Sequence, residues 1–472
     1  MEGICRNSSK DFGIRGVEME EYLKILSEQI RYKKALPEIE EEIRCHIQDQ
    51  AEANRLDGMT EEEAVSFAVK EMGDPVEAGV KLDRIHRPQM AWGFIVFMAV
   101  VSVISAAVHI GIGLGAEEIG QQASKSYMLS AVLYIGIGFL VMLFVYRLDY
   151  SILAGRERLS AMFFLAVMTV EILWIGIRVN GARIYGSCMV LGSIHISLVY
   201  LMYLYVPLYG AVLYHYRGHG WKGFGMSVIF LMYPVWLALQ MPSVSLALLL
   251  LLTLSVMLTL AVWKNWFIIP KKIVLGVYWG ILVLFPIVLL FLSVKSTNLI
   301  LAPYQQARIQ AFYSNGGMRN SYVDKMILEN IENCRLFGAG GIQMEGILPN
   351  YNSDYILAFL SGCYGLTAAF VLCLFAGGAA VKIFRISFGQ KNQLGMMMGF
   401  GCGLVLFANT LLNIGANFGI LPVSATFLPF FSYTGTGMIV SYFLVGIVLS
   451  VYRYKNLNIK YFTVSKTNIS VD

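Results

Sequence analysis

The chain has little charge for its length. Of its 472 residues only 14% are Asp, Glu, Lys or Arg, against 57% hydrophobic. The mean hydropathy is +0.62. A soluble protein of this size needs a far more charged surface, so a water-soluble globular class is excluded. Cysteine is scarce too: seven residues, none in CxxC spacing, which argues against a zinc site or a disulfide framework. Cys188 and Cys334 fall in segments expected outside; a disulfide is conceivable there, but unpaired thiols are the expectation. No GxxxxGK[ST] run and no HExxH occur, so the phosphate cradle of a P-loop and the metal helix of that protease class are both missing. The formal charge of +5 is small and scattered over short connecting segments, so no nucleic-acid partner is implied. No signal peptide is read ahead of the first apolar run.

What fills the chain instead is long apolar runs. Ten have membrane-spanning length: 91–113, 127–146, 159–178, 190–214, 224–240, 244–263, 273–294, 355–384, 394–414 and 432–452. A span needs ~20 residues of helix, and the fifth run is short by that measure. Charge in the connections gives the orientation. Arg147, Arg156 and Arg158, then Arg217 and Lys222, then Lys264, Lys271 and Lys272, then Arg385 and Lys391, and finally Arg453, Lys455 and Lys460 fall on one side. The other side begins with Glu117 and Glu118 against Lys125. Lys and Arg mark the cytosolic side, so both termini are expected inside.

Residues 1–18 are expected to be a disordered extension, 19–87 a cytosolic helical module, 88–454 the membrane domain and 455–472 a cytosolic tail. In the module, Tyr22, Leu23, Leu26 and Ile30 recur at helical spacing. Pro37 opens a second helix with Ile39, Ile43 and Ile47 on one face. Thr60 and Glu63 form a capping box, and Ala64, Phe67, Ala68 and Met72 the expected buried stripe. Gly73 stops that helix and Asp74-Pro75 starts the next. The Glu38-to-Ile47 stretch, Gly58-Met59-Thr60-Glu61-Glu62-Glu63-Ala64 and Met72-Gly73-Asp74-Pro75 resemble the permease prefix domain of bacterial membrane proteins. That resemblance implies a docking or regulatory module with an unidentified cytosolic partner. His46 reads as solvated or capping rather than as a ligand.

Between the seventh and eighth runs lies a polar insert, 295–354, expected to face outward. It is rich in Arg, Tyr, Asn and Gly, and its last residue is an acid, Asp354, where the chain re-enters the membrane. An ionisable group at that position is a functional candidate. The local alternative is a helix N-cap by Ser353 or Asp354. Cations, Tyr hydroxyls and one acid on an outward face suit a ligand with phosphate, sugar and a lipid tail. Glu171, within the third run, is a second acid at membrane depth; pairing with Arg178 or a bond between helices is its safer reading.

Several segments carry a family resemblance. Pro303-Tyr304-Gln305-Gln306-Ala307-Arg308-Ile309, the Gly338-Ala339-Gly340-Gly341 turn, Leu348-Pro349 and Ser353-Asp354-Tyr355-Ile356 resemble the large outer loop of the SEDS family, the RodA, FtsW and SpoVE type. Asn413-Ile414-Gly415-Ala416-Asn417-Phe418-Gly419-Ile420-Leu421-Pro422 and Phe427-Leu428-Pro429-Phe430-Phe431-Ser432-Tyr433 resemble its signature before the last helix, and Asn180-Gly181-Ala182-Arg183 its loop after the third. The implied fold is an all-α membrane protein of ten transmembrane helices with both termini inside. The implied activity is a peptidoglycan glycosyltransferase that polymerises lipid II at the outer face of the bacterial cytoplasmic membrane with a class B penicillin-binding protein, in cell shape, division or sporulation. Asp354 takes the position of the family's essential aspartate and is implied to be the general base of an inverting transfer. Arg308, Tyr304, Arg319 and Arg335 are candidates for binding the diphosphate, since guanidinium groups hold phosphate oxygens bidentately. Asn417, Ser432 and Tyr433 are candidates for lining the substrate groove. No protein-held metal or resident cofactor is implied, and a divalent cation is compatible with the diphosphate. Two other readings stay open: a non-catalytic scaffold for lipid II and a penicillin-binding protein, and a lipid-linked precursor flippase.

The chain also departs from the family pattern. Gly192-Ser193-Ile194-His195-Ile196-Ser197 stands where the family has Gln-Pro-Ser-Glu, and Pro242-Ser243-Val244-Ser245 where it has Pro-Asp-Leu-Gly. Gly362-Cys363 replaces a Glu-Glu pair, and Tyr433-Thr434-Gly435-Thr436-Gly437 replaces Tyr-Gly-Gly-Ser-Ser. It reads as a divergent member.

Overall fold

The computed structural model describes residues 17–115, 121–153, 155–175, 178–179, 182–183, 188–190, 194–241, 243–295, 322–339, 350–421 and 426–455. Expectations for 1–16, and for Tyr304, Arg308 and Arg319, lie outside these residues. Contacts divide the described chain into two units, 17–90 with 453–455, and 91–452.

The first unit contains α1 (Val17–Glu28), α2 (Leu36–Leu56), α3 (Glu61–Glu71) and α4 (Pro75–His86). Tyr22, Leu23, Leu26, Ile30, Ile39, Ile47, Ala64 and Ala68 are its buried core. Glu63 Oε2 accepts the Thr60 backbone N–H at 3.2 Å and the Thr60 hydroxyl at 2.6 Å, closing one side of the capping box. Asp74 caps α4 by accepting from Val76 N at 3.0 Å. Phe67 corrects the expected stripe: it is 43% exposed. At about 100° per residue Ala64 and Ala68 diverge by about 40°, while Phe67 lies about 60° to the far side of Ala64. The small module packs the two alanines and leaves that flank to water. His46 is exposed, as a solvated histidine is.

The second unit is helical. Its elements are α5 (Trp92–Gly115), α6 (Gln121–Arg147), α7 (Glu157–Val170), α8 (Leu198–Leu201), α9 (Tyr205–His215), α10 (Gly220–Gln240), α11 (Val244–Trp263), α12 (Lys271–Lys295), α13 (Tyr322–Asn333), α14 (Ile356–Tyr364), α15 (Leu366–Phe388), α16 (Gln393–Asn417) and α17 (Thr436–Arg453). Among the described residues eight helices are long and apolar enough to cross a membrane, the α8–α9 run Leu198–His215 counting as one. The chain is an all-α, multi-pass membrane protein. The third and seventh apolar runs fall on α7 and α12. The fifth run is longer than its composition suggested, a helix of 21 residues.

Two backbone hairpins precede the fourth span, and the second of them takes up the first residues of the 190–214 run. β1 (Arg178–Val179) pairs with β2 (Ala182–Arg183), and β3 (Cys188–Val190) pairs with β4 (Ile194–Ile196), both antiparallel. Helix starts only at Leu198. Glu171 opens a π turn, Glu171–Ile175, at the end of α7. Cys334 is a free thiol.

α16 lies at the centre, packed on α9, α11, α14 and α15. Its glycines allow this. A Cβ at Gly401 would sit 2.8 Å from Met257 Cε on α11, and one at Gly403 would sit 2.9 Å from Ile383 Cγ2 on α15. Apolar burial gives no preference between neighbour and lipid, so close contact across small residues is what holds spans together.

The eighth apolar run is two helices. Gly365 divides α14 from α15 with φ +93, which only glycine adopts easily. A Cβ there would lie 2.7 Å from the Leu336 carbonyl oxygen. That carbonyl accepts from Thr367 N at 3.2 Å, and the Arg335 carbonyl accepts from Leu366 N at 2.9 Å. The first amides of α15, which no helix can satisfy internally, thus bond to the segment after α13.

Candidate active site

Asp354 sits in a tight turn ahead of α14. Asn350 has φ +54, a left-handed conformation its short side chain tolerates. Its carbonyl accepts from Ser353 N at 3.0 Å and Tyr355 N at 3.2 Å. The helix N-cap is Tyr355, with no side-chain cap bond, so neither Ser353 nor Asp354 caps α14.

The carboxyl group is therefore not turned into its own backbone. Ser353 Oγ donates to Oδ1 at 3.3 Å and Asn350 Nδ2 to Oδ2 at 3.5 Å, both long bonds. A carboxylate has about four lone-pair positions, so each oxygen keeps accepting capacity. The side chain is half-buried. That burial pushes the carboxyl up from 3.8 to about 6, and the bonds from Ser353 and Asn350 only partly oppose it. A group of this kind is ionised at neutral pH and holds a proton more tightly than an ordinary carboxylate does.

The backbone around it is held rigidly. Asn413 Nδ2 and Asn417 Nδ2, one turn apart on α16, both donate to the Asp354 carbonyl at 2.9 Å. Asn417 Oδ1 accepts Ala358 N at 2.9 Å, satisfying a first-turn amide of α14. Ser432 Oγ donates to the Ser353 carbonyl at 2.7 Å and accepts Leu428 N at 2.8 Å. Tyr433 N donates to the Asn352 carbonyl at 2.9 Å. From behind, Asn330 on α13 donates to the Ala358 carbonyl at 2.8 Å and to Ser361 Oγ at 3.1 Å. Three segments distant in sequence, 350–355, 413–417 and 428–433, meet here.

This corrects two expectations. Asn417 and Ser432 are each 1% exposed and their polar atoms are engaged by the turn. They position Asp354 rather than line a groove. Tyr433 is half-buried, and burial raises its phenol above the ordinary value. Its ring faces Tyr127 and Tyr134, with centroids at 4.9 and 6.0 Å. Arg335 is exposed, and its carbonyl serves the start of α15. Among the described residues no three His, Cys, Asp or Glu side chains converge on a common point.

Residues not singled out from sequence also reach the turn. Tyr200 on α8 interacts electrostatically with Asp354. Its ring packs on Phe427 with centroids 5.0 Å apart. The Tyr127 ring on α6 packs against Tyr433, whose N–H donates to the Asn352 carbonyl. A tyrosine inside an apolar run gives no local sign of such a partner.

A profile of the cell cycle protein family of FtsW, RodA and SpoVE matches residues 87–457. The probable peptidoglycan glycosyltransferase FtsW of Enterococcus hirae is 31% identical over 137 residues, covering 28% of this chain and 33% of the relative. The protein of the same name from Buchnera aphidicola subsp. Baizongia pistaciae is 27% identical over 252 residues, covering 51% and 62%. The chain thus aligns with one third to somewhat under two thirds of these relatives' length. Among solved structures, a chain of a peptidoglycan synthase complex, described as coordinating polymerization and crosslinking, superposes with TM-score 0.59 at 19% identity over 77% of this chain and 98% of that one. The rod shape determining protein RodA of Thermus thermophilus superposes with TM-score 0.52 at 17% identity over 78% of this chain and 97% of that one. At these identities the likeness concerns the fold.

Proposed function

Because the chain belongs to the FtsW, RodA and SpoVE family of cell cycle proteins, we propose that it is a peptidoglycan glycosyltransferase that polymerises lipid II at the outer face of the cytoplasmic membrane. Asp354 is the general base. What carries this reading is a half-buried carboxyl group raised to about 6, held on a fixed backbone and not used as a helix cap.

The chemistry follows from the charge balance. The acceptor sugar's 4-hydroxyl attacks the anomeric carbon of the donor as its proton passes to an Asp354 oxygen. The new C–O bond forms as the bond to the lipid diphosphate breaks, and the diphosphate leaves with the electron pair. Attack opposite the leaving group inverts the configuration and needs no covalent enzyme intermediate. Arg308, Arg319, Arg335 and Tyr304 are the groups proposed to hold the diphosphate, whose departing charge a guanidinium stabilises.

The distribution of Lys and Arg supports cytosolic termini and an outward-facing Asp354. A class B penicillin-binding protein is the proposed partner, supported by a structural neighbour that is part of a peptidoglycan synthase complex. The module at 19–87 is proposed to dock a cytosolic partner.

The test is polymerisation by purified protein supplied with lipid II. Wild type is expected to yield glycan strands, and Asp354→Ala and Asp354→Asn none while remaining folded. Strand synthesis by both variants at the wild-type rate refutes the assignment of the base.

A further inference from the structure

The first span, α5, is apolar except along one face. Ser102, Ser105 and His109 recur at spacings of three and four, which align them on a helix. Ser105 and His109 are fully buried. Polar groups at membrane depth are costly to keep, so their partners indicate what the face does. Ser102 Oγ lies 2.6 Å from the Tyr442 hydroxyl. Ser105 Oγ donates to the Phe430 carbonyl at 2.7 Å. His109 Nδ1 lies 2.7 Å from the Tyr127 hydroxyl, and its Nε2 is buried without a hydrogen-bond partner.

Phe430 has reason to need a brace. Its φ is +70, a conformation that a bulky L residue avoids, and its side chain is 1% exposed. Two and three residues on, Ser432 and Tyr433 make the bonds that hold the Ser353 and Asn352 carbonyls. The Tyr127 and His109 rings both pack on the ring of Tyr433, with centroids 4.9 and 6.1 Å from it. With its proton on Nε2, the His109 ring leaves Nδ1 to accept the Tyr127 O–H.

We propose that Ser105, His109 and Tyr127 are positioning residues for Asp354: the buried polar face of α5 fixes the bent 428–433 segment and, through Asn352, the turn that carries the base. The inference rests on the reading of Asp354 as the base, but its effect on the turn can be measured without activity.

The experiment uses full-length protein and lipid II, with amide hydrogen exchange on the same preparations. His109→Leu and Tyr127→Phe are each expected to lower kcat about tenfold or more with KM within about twofold. The double variant is expected to be no worse than either single, because both break one linkage. His109→Asn, whose amide oxygen can accept from Tyr127, is expected to recover most of the loss. In His109→Leu and Ser105→Ala, amides of 350–355 and 428–433 are expected to exchange about tenfold faster, and those of α16 at the wild-type rate. Where His109→Leu does not fold, Tyr127→Phe, Ser105→Ala and His109→Asn carry the test. Unchanged kcat, multiplicative losses in the double variant, or unchanged exchange at 350–355 overturns the proposal. Should wild type fail to polymerise lipid II, the proposed function falls and the exchange data alone decide the inference.

Discussion

Asp354→Asn should make the protein more stable at neutral pH while abolishing its chemistry. The folded chain holds a proton on this carboxyl with a midpoint near 6, whereas an ordinary Asp has 3.8. At 1.36 kcal/mol for each tenfold in proton affinity, that difference corresponds to about 3 kcal/mol against the ionised form in the fold. The sign follows from proton binding. Between 3.8 and about 6 the folded state carries more protons than the unfolded one, so stability falls as pH rises through this window. Above it the full penalty remains. Asparagine carries no charge, accepts from Ser353 through its amide oxygen, and escapes the penalty. At about pH 7.5 the variant should melt higher than wild type, by on the order of 5 °C, and near about pH 4 the two should coincide. Thermal unfolding in one detergent across that range checks this. A variant that melts lower than wild type at neutral pH would show that the carboxylate stabilises the turn, and the argument from burial would fail.

The acid limb of kcat/KM should have its midpoint at about 6, because the free enzyme's base must be ionised to accept the proton; a limb at 3.8 would mean Asp354 is solvated like any surface acid. Asn413→Ala or Asn417→Ala removes one of two donors to the Asp354 carbonyl and should lower stability by about 1–3 kcal/mol, with kcat falling more than KM rises. Gly365→Ala forces a Cβ toward the Leu336 carbonyl at φ +93 and should cost at least about 1–2 kcal/mol, read as a lower melting temperature and reduced yield. Thr60→Ala should weaken the α3 cap by about 1 kcal/mol, detectable by faster exchange in 61–64, and leave polymerisation unchanged.

What could be read from the sequence was local. The capping box at Thr60 and Glu63 and the Asp74 cap involve residues two or three apart, so the pattern contains its own partners. Apolar length placed the helices of the membrane unit. The break at Gly365 was hidden because composition stays apolar on both sides of it, and the residues that require glycine there lie some thirty positions upstream. The hairpin at 188–196 was absorbed into an apolar run for the same reason. Asp354 stood out through the motif around it. The roles of Asn417 and Ser432 did not, since their acceptors are 63 and 79 residues away. The Ser102, Ser105 and His109 spacing was the one available sign of the polar face on α5. A hydropathy average over 24 residues erases it.

The bonding at the start of α15 has a mechanical consequence. Leu366 and Thr367 give their amide hydrogens to Arg335 and Leu336, and the Thr367 hydroxyl reaches Leu336 as well. Lifting this strap would strand two donors at the rim of the bilayer, where little water can replace the lost acceptors. Residues 335–338 are thereby riveted to the span that follows Asp354, and a force applied to the strap would be felt as tilt in that helix.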